Sequence, residues 1–290
     1  MTYPARPTVR WQFGAAVFDL GPRTLVMGII NCTPDSFFDG GRYLQPEQAA
    51  NQFNELVSAG ADLIDVGGES TRPGAEPVDA TEEWARVAPV FDAAKEAGFP
   101  IPLSIDTTKY EVAAKALDAG ATIINDISAL DSEERLAHLA AQHQAGLILM
   151  HKQGAPQSMQ NDPHYDDLIS EIINELDRAI KTAEDAGVAR EQIVIDPGIG
   201  FGKTVQHNLE IIRRLTDLSA IGRPILMGCS RKSLIGAILD LPPEERLEGT
   251  LALHSASALL GAHIVRVHDV KPAVRSLRMI DAVLSDENIS

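Results

Sequence analysis

Acidic and amide side chains stand at the ends of three short apolar runs of the sequence. They are Asp106, Asn125 and Asp196. Their oxygens accept hydrogen bonds, so together they could bind the N–H groups of an amino-substituted nitrogen heterocycle. A single Asp behind a strand more often caps a helix or makes a turn. Because every one of eight apolar runs is followed by polar residues, we expect the set to form a site.

A second group of polar residues suits an anion. It comprises Lys232, Arg266, His268 and Asn31, which lie at or just beyond the ends of the seventh, eighth and first apolar runs. Lys and Arg form charge-assisted hydrogen bonds with anions, and the seventh and eighth loops of barrel enzymes often bind phosphate. The pocket is therefore predicted to be bipolar. Its substrate would carry a donor-rich ring at one end and a phosphate-like group at the other.

Further features of the sequence extend this site. Ser233 precedes the apolar stretch Leu234–Leu239, so a helix that begins there could hold a carboxylate with its free amide groups. Alternatively, Ser233 only caps that helix. The loops Asn31–Arg42 and Gly67–Val78 are longer than the usual connection of about 2–6 residues, which favours a function as lids over the site.

The elements that position these residues follow from a repeated pattern. Eight runs rich in Ile, Val and Leu, without polar alternation, are typical of strands buried on both faces of a parallel sheet. Strand followed by helix eight times predicts an α/β protein with a single (β/α)8 TIM barrel, for which roughly 250 residues are typical. The alternative is an open doubly wound sheet, although no Gly-x-Gly-x-x-Gly follows the first run. The runs are Leu25–Ile30, Leu63–Val66, Pro102–Ile105, Ile123–Asn125, Leu147–Met150, Ile193–Ile195, Ile225–Met227 and Ile264–Val267.

Helix-like segments lie between the runs, and five of them reach an Ala-Gly pair. Gly adopts the left-handed conformation that ends a helix, so these pairs predict helix stops at Gly60, Gly98, Gly120, Gly146 and Gly187. We predict one domain over residues 1–290, with an extension at 1–24 and the barrel at 25–285. Within the extension, Val9–Leu20 is expected to form a small hairpin that covers the bottom of the barrel.

The composition limits the classes of partner. With 41 acidic and 25 basic residues the net charge is −16, which repels nucleic acid but still allows a local basic pocket for a small anion. Cys32 and Cys229 form no spaced pair and are expected to be buried free thiols. No signal peptide and no apolar run near the roughly 18 residues of a membrane span occur. We therefore expect a soluble, cytoplasmic protein.

Metal-ligand and nucleophile motifs do not occur in the sequence. None of the eight histidines forms His-Glu-x-x-His, and there is no Cys-x-x-Cys or Gly-x-Ser-x-Gly. A metal held by several protein ligands is not expected. Mg²⁺ brought in by a diphosphate and contacted by one amide or carboxylate is compatible with the sequence, because Mg²⁺ often relies on substrate phosphates and water.

Five blocks of the chain, in order, resemble those of the dihydropteroate synthase family. The resemblance runs from about Leu25 to Val270. Matches of this length in five places are far more specific than a single glycine motif. The blocks are Met27–Phe37, Asp65–Gly74, Asp196–Thr204, Ser230–Ser233 and Arg266–Val270.

The resemblance implies a reaction and a role for each site residue. In this family p-aminobenzoate displaces diphosphate from a dihydropterin methyl diphosphate, with Mg²⁺ as cofactor. Asp106, Asp196, Lys232, Arg266, His268 and Asp35 would be the catalytic residues. The pterin would be held by Asp106, Asn125, Asp196 and Lys232, with Met150 as a further substrate contact. Diphosphate would be held by Asn31, Arg266 and His268, of which Asn31 would contact Mg²⁺. The aminobenzoate site would contain Thr71, Pro73, Phe201 and Ser233, with Asp35, Phe37 and Arg72 arriving on the lid loops.

Two other functions are compatible with part of the pattern. A pterin-dependent methyltransferase barrel would share the acceptors Asp106, Asn125 and Asp196 but would not need the two anion-binding motifs. A non-catalytic pterin-binding paralogue would keep the fold without turnover. The resemblance also implies a homodimer.

Overall fold

The computed structural model describes residues 6–33, 46–70, 76–154, 159–160 and 162–285, and these contain ten strands. Strands β1 and β2 pair antiparallel as a hairpin, and the other eight form one parallel sheet. The strands are β1 (Val9–Phe13), β2 (Ala16–Leu20), β3 (Leu25–Asn31), β4 (Leu63–Gly67), β5 (Leu103–Asp106), β6 (Ile123–Asp126), β7 (Gly146–Met150), β8 (Ile193–Asp196), β9 (Leu226–Met227) and β10 (Ile264–Val267).

The parallel sheet closes on itself. Strands β3 to β8 pair in chain order, and β10 pairs with both β3 and β9. A parallel bridge between Ile195 and Ile225 joins β8 to the start of β9 and completes the ring. An open doubly wound sheet would leave two free edges, so that alternative is wrong and the predicted TIM barrel is confirmed.

Nine α-helices occur in the described part of the chain. Gly60, Gly98, Gly120 and Gly187 have positive φ and follow helices, as predicted. The helix stop predicted at Gly146 is wrong, because Gln144 takes the left-handed conformation there and Gly146 opens β7. The helices are α1 (Pro46–Ser58), α2 (Ala80–Glu96), α3 (Tyr110–Asp118), α4 (Arg135–His143), α5 (Leu168–Asp185), α6 (Val205–Arg213), α7 (Ser233–Leu239), α8 (Leu247–Leu259) and α9 (Val270–Leu284).

The barrel interior is apolar at the amino ends of the strands. The hairpin covers this end, and Trp11 Nε1 donates a hydrogen bond of 2.9 Å to the Gln192 carbonyl. The predicted position of the hairpin is therefore confirmed. The shared cluster contains Trp11, Phe13, Leu20, Leu25, Met27, Leu63, Ile123, Ile148, Val194, Leu226 and Ile264.

At the carboxyl ends of the strands the interior becomes polar. Side chains on one face of a strand recur every second residue, so the residues two positions beyond the apolar cluster also point inward. On four strands these residues are polar: Asp65, Asn125, Asp196 and Arg266. The carboxyl-end face is where barrel enzymes carry their active sites. Separately, no helix among the described residues is long and apolar enough to cross a membrane.

Candidate active site

Arg266 links several acceptors at the carboxyl-end face. Its Nε donates to Asp65 Oδ2 at 2.6 Å and its Nη2 donates to Asp106 Oδ2 at 2.8 Å. Asn125 Nδ2 donates to the same Asp65 oxygen at 2.9 Å. The structure thus brings Asp106, Asn125 and Arg266 together around Asp65. Arg266 on β10 reaches Asp65 on β4 across the intervening strand β3. Arg266, assigned from sequence to the anion side, lies beside the ring-side acceptors.

Burial changes the protonation of the two ring-side carboxylates. Desolvation, with the nearby charges of Asp65 and Glu83, raises the pKa of Asp106 to about 7 against the opposing charge of Arg266. Desolvation also raises the pKa of Asp196 to about 6, although its Oδ1 accepts a hydrogen bond from Gly198 N at 2.7 Å. Both groups therefore titrate near neutral pH, as is common for active-site carboxylates.

Lys232 approaches this cluster from the loop before α7. Its Nζ lies 4.1 Å from the centre of the Phe201 ring. Burial and the charge of Arg266 lower the pKa of Lys232 to about 8. Gly200 makes room for the lysine stem: its φ is +83°, and a side-chain Cβ there would lie 3.3 Å from Lys232 Cδ. Lys232, Phe201 and the Asp196 loop thus form one wall of the site.

Ser233 is the first residue of α7, and the N-cap position belongs to Lys232. The alternative that Ser233 only caps the helix is therefore wrong. Its side chain is exposed next to the lysine. Its assignment to the aminobenzoate site stays a prediction.

His268 and Asn31 meet beside the loop that follows β9. The His268 ring lies with Nδ1 2.8 Å from Ser230 Oγ and with Nε2 3.3 Å from Asn31 Nδ2. Burial and the charge of Arg266 lower the pKa of His268 to about 3, so the imidazole is neutral. With Asn31 Nδ2 facing the ring, its Oδ1 is the atom left to face a ligand, given the amide orientation in the structure.

An apolar patch borders the acceptors. Met150 and Phe201 are buried and pack with Met159 in one small cluster. Flat aromatic or heterocyclic rings bind against such surfaces, while a few polar groups fix their orientation. Met150, named from sequence as a substrate contact, lies at the end of β7 as expected.

Two buried residues of the site lie within the blocks that resemble the family, but sequence reasoning assigned neither of them a role. One is Asp65, described above. The other is Lys203, whose Nζ contacts His151 Nδ1 at 2.8 Å and donates to the Phe201 carbonyl at 3.0 Å. Desolvation lowers the pKa of Lys203 to about 7. The inward alternation of β4 could have identified Asp65, whereas the Lys203–His151 contact has no local sequence signal.

Sequence reasoning missed Lys109 altogether. Its Nζ donates to Glu69 Oε2 at 2.8 Å and to Glu83 Oε2 at 2.5 Å. Glu69 Oε1 in turn accepts from Val78 N at 3.1 Å, so this carboxylate ties together two positions of the loop after β4. Five predicted site residues, namely Asp35, Phe37, Thr71, Arg72 and Pro73, lie outside the described residues and stay predictions.

Comparison with known proteins gives this geometry a family. The family model described as pterin binding enzyme matches residues 27–268. The dihydropteroate synthase of Synechocystis sp. is 48% identical over 271 residues, which cover 93% of each chain. That of Escherichia coli K12 is 46% identical over 260 residues, which cover 90% of this chain and 92% of the relative.

The chain belongs to the dihydropteroate synthase family.

Solved structures of dihydropteroate synthases agree with this result. The Yersinia pestis enzyme, in a sulfonamide drug complex, has a TM-score of 0.90 and 41% identity, with 96% of this chain and 100% of that chain covered. The Xanthomonas albilineans enzyme in complex with 7,8-dihydropteroate has a TM-score of 0.84 and 38% identity over 96% and 100% of the two chains. The predicted family and enzyme class are confirmed.

Proposed function

We propose that this dihydropteroate synthase family member condenses 6-hydroxymethyl-7,8-dihydropterin diphosphate with p-aminobenzoate in folate biosynthesis. The products are 7,8-dihydropteroate and diphosphate. The observation that carries this proposal is an inward cluster at the carboxyl ends of the strands, in which Arg266 contacts Asp106 directly and Asn125 through Asp65. That cluster offers acceptors for a ring and a cation for its anionic substituent within one pocket.

In the reaction, the aminobenzoate nitrogen attacks the pterin methylene carbon. The carbon–oxygen bond to diphosphate breaks, its electron pair leaves with the diphosphate, and the nitrogen loses a proton. Diphosphate is a good leaving group, and the electron-rich pterin stabilises the positive charge left on the methylene. The protein therefore needs chiefly to orient the two substrates and to stabilise the separated charges.

The residues that the resemblance assigned to the site divide that task among them. Asp106, Asn125 and Asp196 accept hydrogen bonds from the pterin N–H groups, and Lys232 binds the same ring. Met150 and Phe201 supply the apolar surface beside it. Arg266 and His268 contact the diphosphate and stabilise the charge that develops on it. Phe201 and Ser233 are assigned to the aminobenzoate site. The family resemblance adds Thr71, Pro73, Asp35, Phe37 and Arg72, which lie outside the described residues.

The donor set fits Mg²⁺ delivered by the diphosphate. Among the described residues no three His, Cys, Asp or Glu side chains are grouped to hold a metal. Asn31 offers one amide oxygen beside His268. Mg²⁺ commonly binds one or two protein oxygens and fills its remaining coordination positions with phosphate and water. When bound, Mg²⁺ would neutralise charge on the leaving diphosphate.

Replacing Asn31 by alanine is expected to raise the Mg²⁺ concentration needed for half-maximal turnover by about 10-fold or more, by analogy with losses at metal sites. The reason is the loss of the amide oxygen assigned to the ion. Turnover is measured across a Mg²⁺ titration after chelator treatment. Asn54→Ala, at an exposed position of α1, is the matched control. An unchanged Mg²⁺ dependence in Asn31→Ala would remove Asn31 from the metal site.

The pH dependence of kcat/KM is expected to be bell-shaped. Asp196 and Asp106, with pKa values of about 6 and about 7, accept hydrogen bonds through both oxygens only after they lose their protons, so activity rises through this range. Lys232, with a pKa of about 8, loses its charge at higher pH, so activity then falls. Lys232→Arg keeps the charge and should move the alkaline limb upward. If kcat/KM of the unmodified protein does not change from below pH 6 to above pH 8, the assignments are contradicted.

Isotope-labelled p-aminobenzoate tests the proposed reaction chemically. Incubation with the dihydropterin diphosphate and Mg²⁺ should yield dihydropteroate that retains the labelled amine nitrogen, detected by mass spectrometry. Omission of the chain is the control for uncatalysed condensation. A labelled product formed no faster than in that control would contradict the proposed function.

We also propose a homodimer in the cytoplasm. Support for the dimer comes from α7 and α8: Ile238 and Leu239 are exposed, and Leu251 and Leu253 are only partly buried. Support for a reducing compartment comes from the free, buried thiols of both cysteines. Sedimentation should give twice the chain mass of 31.2 kDa, and a mass of one chain would contradict the dimer.

A further inference from the structure

Asp65 is a buried carboxylate at the centre of the site, and the proposed reaction gives it no role. No part of its side chain is exposed. Its Oδ2 accepts from Arg266 Nε at 2.6 Å and from Asn125 Nδ2 at 2.9 Å. One oxygen atom therefore joins a residue assigned to the diphosphate with a residue assigned to the pterin ring.

The environment of Asp65 is a poor one for a residue that serves only the fold. Burying a carboxylate is costly, and the cost is offset only by opposite charge and good hydrogen bonds. Arg266 supplies both to Oδ2, but Oδ1 is buried without a hydrogen-bond partner within the described residues. An apolar side chain would often fill such a position at less cost to folding. A carboxylate at position 65 differs from an apolar side chain in that it holds Arg266 and Asn125 in place.

The geometry of the guanidinium shows what is held. Arg266 donates to Asp65 through Nε and to Asp106 through Nη2, so two carboxylates fix the plane of the guanidinium group. The side chain of Asp106, which is assigned to the ring, is partly exposed, whereas that of Asp65 is wholly buried. A ligand that engages Asp106 thus leaves the Asp65 contact in place. Nη1 has no protein partner within the described residues and remains available to an anion.

We propose that Asp65 is a positioning residue, which fixes Arg266 relative to Asn125 and thereby sets the spacing between the diphosphate and ring halves of the pocket. This inference rests on the proposed function and deepens it. A residue that sets spacing matters most for a ligand that spans both halves. It matters little for a fragment that occupies only one, because the released side chain can still adjust to that fragment.

The test compares the whole substrate with its two fragments in Asp65→Asn. The substitution preserves shape and removes the charge that orients Arg266. We expect kcat/KM for the dihydropterin diphosphate to fall by about 100-fold, the scale of loss when reacting groups are misplaced. Binding of inorganic diphosphate alone and of 6-hydroxymethylpterin alone, measured by calorimetry, should stay within about 2-fold of the unmodified protein.

A double substitution adds a readout that a merely structural role would not produce. If Asp65 acts through Arg266, adding Asp65→Asn to Arg266→Lys should lower kcat/KM by no more than about 2-fold beyond Arg266→Lys alone. Independent structural damage would instead multiply the two losses.

Ser104→Ala is the matched control. Ser104 pairs with Asp65 in the sheet register, is fully buried, and has an Oγ without a partner within the described residues. Removing that buried polar atom should leave kcat/KM within about 2-fold of the unmodified protein.

Several outcomes would overturn the inference. They are a kcat/KM for Asp65→Asn within about 2-fold of the unmodified protein, fragment binding that falls as far as kcat/KM, or multiplied losses in the double variant. Should Asp65→Asn not fold, as judged by thermal unfolding, Asp65→Ser is measured in the same way. Failure of both to fold would also overturn it, since Asp65 would then be a determinant of the fold. The proposed function is judged separately, by aminobenzoate-dependent turnover of the unmodified protein.

Discussion

Replacing Lys232 by methionine is expected to lower kcat/KM for the dihydropterin diphosphate by about 100- to 1,000-fold, the scale of losing one preorganised electrostatic contact. Methionine keeps most of the apolar stem that packs on Gly200 but removes the charge held 4.1 Å from the Phe201 ring. The same charge lies within the field of Asp196 and Arg266. Steady-state kinetics with both substrates varied measure the effect.

Lys181→Met is the control for the loss of a lysine charge. Lys181 is exposed on α5 and pairs with Asp185. Its replacement should leave both kinetic constants unchanged. Near-normal kinetics in Lys232→Met, with folding verified by thermal unfolding, would show that Lys232 is not part of the site.

Replacing Arg266 by lysine is expected to lower kcat/KM by about 100-fold, because lysine keeps the charge but lacks the planar guanidinium group. Arg266 binds two carboxylates through different nitrogens, and a single ammonium cannot hold both contacts in that geometry. Retaining the charge avoids leaving the buried Asp65 uncompensated, so we expect the fold to persist. Kinetics and thermal unfolding are measured on the same preparation.

Arg278→Lys, on an exposed part of α9, is the matched control and should not alter turnover. If Arg266→Lys retains kcat/KM within about 2-fold, charge alone suffices and the planar guanidinium group has no role in the reaction. If it unfolds, the residue's contribution to folding dominates, and the assignment of Arg266 to the diphosphate loses its kinetic support.

The barrel was predictable because its strands are buried on both faces. Such strands appear as short, nearly continuous apolar runs, and all eight runs correspond to strands of the parallel sheet. The error at Gly146 has a physical cause. A glycine is needed at position 146 because Trp11 and Phe13 of the hairpin approach the backbone there. A Cβ atom would lie 3.2 Å from each ring. A glycine required by tertiary packing has the same local sequence as one that ends a helix.

The site was predictable as a set of residues but not as a set of contacts. Strand ends meet at one face of a barrel, which was enough to gather Asp106, Asn125 and Asp196. The contact between Arg266 and Asp65 joins residues 201 positions apart across the interior, and no local pattern encodes it. The Lys109–Glu69 contact is likewise formed between a helix start and a loop. Its positive charge assigned Arg266 to the anion side of the pocket. Only the packed structure shows that Arg266 also contacts Asp106, an acceptor assigned to the ring.

Diphosphate release with and without p-aminobenzoate tests the central claim most directly. The chain is supplied with the dihydropterin diphosphate and Mg²⁺, and release is followed continuously. We predict release that depends on p-aminobenzoate and equals the dihydropteroate formed. Absence of aminobenzoate-dependent release from folded protein would contradict the account and favour a methyltransferase barrel or a pterin-binding protein without turnover.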